Sequence, residues 1–103
     1  MARNSSPGPV ATGPARVIGA GPDWLEVHAS AYRAARQEID LLPPGKALVY
    51  HEGLLAVDAA RHAAVAGRAA AFLEAATELA EGVLIQQRIR AEWFRYMFRK
   101  SLP

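Results

Sequence analysis

The sequence contains no cysteine, which excludes disulfides, thiolate metal sites and thiol redox chemistry. It has no uninterrupted apolar run near the ~20 residues that span a bilayer, and no apolar stretch follows Arg3 as it would in a signal peptide. These absences lead us to expect a cytoplasmic protein. Lysine is scarce, with two residues against ten arginines. Together with 22 alanines, this reflects a GC-rich coding sequence more simply than a chemical demand. Alanine adds little side-chain burial, so the core is small and its elements pack closely.

Proline and glycine are concentrated at one end. Residues 1–22 hold four of the seven prolines and four of the eight glycines, and read as a flexible N-terminal arm before a helical domain at 23–103. Within the arm, V-I-G-A-G-P resembles the start of a dinucleotide-binding fingerprint, but Trp24 stands where the third glycine is needed. No cofactor is expected, and Val17–Ile18 becomes a candidate docking patch.

Net charge is +2, but it is unevenly spread. Residues 23–82 carry nine acids against five bases, whereas residues 83–103 carry five bases against Glu92 alone. Basic ends around an acidic middle suit self-association, and equally suit contact with a polyanion.

Periodicity predicts an all-α fold, a small bundle of three helices. Asp23 and Glu26 form a capping box for a helix at 24–42, in which Trp24, Leu25, Ala31, Tyr32, Ala35, Ile39 and Leu42 share a face. Pro43-Pro44-Gly45 ends it. Helical patterning then runs from Lys46 to Lys100, broken by Gly53, Gly67 and Gly82. A turn at Gly67 gives helices at 46–66 and 68–100 as a long hairpin. Without that turn, 46–100 is one rod of roughly 80 Å, stable only in an oligomer.

The segment 81–103 is the most distinctive. On a helical wheel Arg88, Glu92, Arg95 and Arg99 line one strip, with Trp93, Phe94, Met97 and Phe98 on one side and Ile85, Ile89 and Tyr96 on the other. Two apolar faces need two covers, and a partner chain is the simplest second one. Ile85, Ile89, Trp93, Phe94, Tyr96, Met97 and Phe98 are therefore the expected interaction residues. Arg88, Arg90, Arg95, Arg99 and Lys100 are the candidate polyanion contacts, with Trp93, Phe94 and Tyr96 stacking on bases. A basic amphipathic helix lying on an anionic membrane is a further reading.

Catalytic chemistry finds little support. His51 and His62 sit about three helical turns apart, too far for one metal ion, and Asp58 with His62 would supply only two ligands. His28 and Glu52 fall on apolar faces and pair most simply with each other across two helices, as a buried hydrogen bond that fixes register. The chain thus reads as a non-catalytic assembly or interaction subunit. It is expected to be homo-oligomeric or part of a larger complex, with nucleic-acid binding as the alternative and no metal or small-molecule substrate.

Overall fold

A computed structural model describes residues 22–103. The expected arm, with its Val17–Ile18 patch, lies outside the described residues except for Pro22. Within them the fold is mixed α/β and not a helical bundle. Its order is α–β–α–α–β–β, with three helices on one face of a three-stranded antiparallel sheet.

The first helix, α1, spans Pro22–Leu41. Proline suits a first helical position because its missing N–H would have no intrahelical partner there, and Asp23 adds negative charge in the first turn. The Pro43-Pro44-Gly45 stop holds, with Gly45 at φ +82 and the Lys46 amide bonded back to the Pro43 carbonyl at 3.1 Å.

The helix expected at 46–66 is instead strand β1, Ala47–Gly53, followed by the short helix α2, Leu55–Arg61. Val49 and Tyr50 are β-formers, and the stretch is bounded by Gly45 and Gly53, both at positive φ. Leu48 packs against the core and Tyr50 enters it through a bulge in the pairing between Val49 and His51.

Helix α3, Ala63–Thr77, buries Ala63, Gly67, Ala71, Phe72 and Ala75 along one stripe. Gly67 does not turn the chain. It lies in mid-helix, where a Cβ would overlap the backbone carbonyl of His28, so its role is to let α1 and α3 touch.

The rest of the expected third helix is a hairpin of β2, Gly82–Arg90, and β3, Trp93–Lys100. The strand order is β1-β3-β2. Phe94, Tyr96 and Phe98 alternate with Arg95, Met97 and Arg99, which is the period of a strand with one face turned to a core. Aromatic and β-branched residues make the strand win. Glu92 takes a left-handed conformation (φ 59) in the two-residue connection.

The core is Ala35 and Ile39 of α1, Tyr50 of β1, Ala71, Phe72 and Ala75 of α3, and Phe98 of β3. Phe72 stacks on Tyr50 at 4.6 Å between ring centroids and tilts against Phe98 at 5.6 Å. Burial pushes the Tyr50 phenol above its ordinary value, with Tyr96 adding to the effect. Around this core the layers are tied by polar groups. Arg68 of α3 hydrogen-bonds Glu38 of α1 and donates through Nε to the Tyr50 carbonyl at 3.0 Å, while Tyr32 donates to Glu74. Arg36 grips Glu81 with two bonds of 2.9 and 3.2 Å, anchoring the entry to β2 on α1.

Candidate functional site

Residues opposite one another in an antiparallel sheet share a face. Phe94, Tyr96 and Phe98 of β3 are on the side of the helices; Trp93, Arg95, Met97 and Arg99 are on the other side, which carries no helix among the described residues. Three rows cross this open face in register. Ala47–Arg99–Val83 is the first, Val49–Met97–Ile85 the second and Glu52–Arg95–Gln87 the third, and Trp93 with Arg90 closes the hairpin end. The middle row is apolar across all three strands. Val49 is 40% exposed, Val83 54% and Trp93 38%, while Ile85 and Met97 are half-buried. A solvated antiparallel face is ordinarily polar, so an apolar row along its middle marks this surface.

The expected interaction residues therefore divide. Phe98 is fully buried under α3 and is core. Tyr96 faces the helices, where its hydroxyl accepts the Leu55 amide at 3.2 Å, and Phe94 is half-buried beside it. Ile85, Met97 and Trp93 come together on the open face. Ile89 sits at the pairing irregularity between Arg88 and Arg90 and is exposed.

The five cations also take different positions. Lys100 reaches the carbonyls of Ile39 and Asp40 at 2.9 and 3.3 Å, capping the negative end of α1. Arg95 donates to Glu52 at 3.2 Å across the open face. Arg90 lies over the Trp93 ring, 5.2 Å from its centroid. Arg88 and Arg99 are exposed and have no side-chain partner among the described residues. The hairpin end is thus an arginine–tryptophan edge, not an amphipathic helix, and the membrane-surface reading loses the element it required.

Glu52 meets Arg95 and not His28, which is half-buried on α1 with its carbonyl against Gly67. The buried pair expected between them does not form, since Glu52 is exposed on the open face of the sheet. The close histidine–carboxylate pair is His51 with Asp58, 2.7 Å apart, bridging β1 and α2. Both residues fall within the helix expected at 46–66. The strand-to-helix change at Gly53 is what brings them together, and a Cβ at Gly53 would crowd the Asp58 carboxylate. His62 stands apart between α2 and α3. Among the described residues no group of three metal-ligating side chains converges, and no helix is long and apolar enough to cross a membrane.

Compared with known protein families, curated proteins and solved structures, the chain matches none of them. Any function must be argued from the surface itself.

Proposed function

We propose that this chain is a non-catalytic assembly subunit that self-associates through the β2–β3 side of its sheet. The observation that carries the reading is the Val49–Met97–Ile85 row, which no helix of the described residues covers, because all three pack on the opposite face. The surroundings of that row suit a protein contact. Tryptophan, methionine and arginine are enriched at protein interfaces while lysine is depleted, and the open rows hold Trp93, Met97, Arg90, Arg95 and Arg99 with no lysine. The described charges are polarised as well. Residues 83–103 are basic and residues 23–82 acidic, so a contact between two β2–β3 surfaces must keep the arginines of the two copies apart.

A second reading is supported by Arg88 and by the Arg90–Trp93 stack at the hairpin end: a nucleic-acid contact made by the hairpin. Helix α3 would contribute little to it, because its one basic residue, Arg68, is held by Glu38.

Light scattering over a concentration series, with absorbance at 260 and 280 nm, separates the two. A multiple of 11.1 kDa with a protein spectrum is expected. A monomer carrying 260 nm material that salt releases would support the second reading instead.

A further inference from the structure

We propose that two copies join edge to edge along β2, antiparallel, with the two-fold axis at Ile85. This deepens the self-association reading and rests on it. β2 pairs only with β3 among the described residues, so the backbone N–H and C=O groups on its other side form an open edge. The usual edge protections are missing along its regular part, Gly82–Arg88, which has no proline and no charge before Arg88. The opposite edge is less suitable. β1 is bulged at Tyr50 and ends in Gly53 at φ +128.

Charge then selects the direction of pairing. Parallel in-register strands would set Arg88 against Arg88 and Arg90 against Arg90. Antiparallel strands centred on Ile85, the midpoint of the regular stretch, set Arg88 opposite Gly82 of the second copy. The two Arg88 side chains then stand about 20 Å apart along the strands. The same register places Ile85 against its own copy. The apolar row continues without a break as Val49–Met97–Ile85 and then Ile85–Met97–Val49, six residues across a six-stranded sheet, so the pairing joins the two rows at the edge and leaves their outer face open. A two-fold of this kind closes on itself, so it gives a dimer and not a fibre.

The absence of cysteine allows a direct test. At the axis, Ile85→Cys would bring two Cα atoms to about 4.5–5.5 Å, within disulfide reach. Gln87→Cys, one row away on the same face, would hold them about 14 Å apart. Both variants are oxidised mildly at the concentration where the mass of the native chain has been measured, after thermal unfolding of the reduced forms confirms that each is folded. Rapid conversion of Ile85→Cys to twice 11.1 kDa is expected, with Gln87→Cys at least about tenfold slower. An oligomeric native chain in which Ile85→Cys fails to cross-link, or Gln87→Cys cross-links as fast, would overturn the edge pairing and leave self-association standing. A native chain that stays at 11.1 kDa, with neither variant cross-linking, would overturn both.

Discussion

Gly67 of α3 lies against the backbone carbonyl of His28 in α1, with no room for a methyl group between them. In an isolated helix, alanine would be favoured over glycine by up to about 1 kcal/mol. Here the added carbon must push two helices apart, and overpacking of that kind costs about 1–3 kcal/mol. Gly67→Ala is therefore expected to lower the urea midpoint. A raised midpoint would mean that α1 and α3 are not in contact at this level.

Phe98 and Trp93 belong to one strand but to opposite faces. Phe98→Ala opens a cavity under Phe72 and should cost about 3–5 kcal/mol of stability. Trp93→Ala removes a 38% exposed ring that rests beside Arg90, and should change the unfolding free energy by well under half of that. Chemical denaturation of both, under conditions that hold the chain monomeric, checks the contrast.

These two residues show where the sequence was readable. The α1 helix and its Pro43-Pro44-Gly45 stop were legible because proline and glycine act locally. Around Gly67 the helix propensity of alanine outweighs the glycine, so the turn expected there is absent, and the close contact with His28 had no local signal. In 82–100 two periodicities compete. Arg88, Glu92, Arg95 and Arg99 recur at spacings of three and four, as on a helix, while Phe94, Tyr96 and Phe98 recur every second residue. Weighing the aromatic alternation above the charge spacing would have found the strand, since aromatic side chains are what the core requires. The row of Val49, Met97 and Ile85 depends on register between strands distant in sequence, and no local pattern announces it. Lys100 reads as one more cation of a basic tail until the fold sets it at the end of α1.

Acid should loosen the junction between α1 and β2. The two hydrogen bonds from Arg36 hold the Glu81 carboxyl below its ordinary value of 4.5, and the same contact raises the Arg36 guanidinium. A lowered carboxyl stabilises the folded chain above its unfolded value, and that contribution disappears as pH falls through the folded one. With both side chains partly exposed, the pair is worth about 0.2–1 kcal/mol. Glu81→Gln should lower stability at neutral pH by that amount and make the loss below pH 4.5 shallower than in the native chain. Parallel slopes for the two proteins in pH-dependent urea unfolding would contradict the assignment.

The hairpin connection holds strain that glycine would relieve. Glu92 sits at φ 59, a left-handed conformation that costs an ordinary residue about 1–2 kcal/mol. Part of the gain from Glu92→Gly is lost to the greater freedom of glycine in the unfolded chain, so a net rise of up to about 1 kcal/mol is expected. Thermal unfolding of the variant measures it.

The central claim is that the chain meets a second copy through its uncovered strands, and the mass of native protein beside Ile85→Asp at matched concentration tests it most directly. Ile85 is only half-buried in the single chain, so aspartate there leaves the fold intact while placing like charges against each other at the contact. The account predicts a native mass of twice 11.1 kDa and a variant of 11.1 kDa with an unchanged circular dichroism spectrum. A native chain of 11.1 kDa at every concentration, or a variant that assembles as well as the native protein, would contradict it.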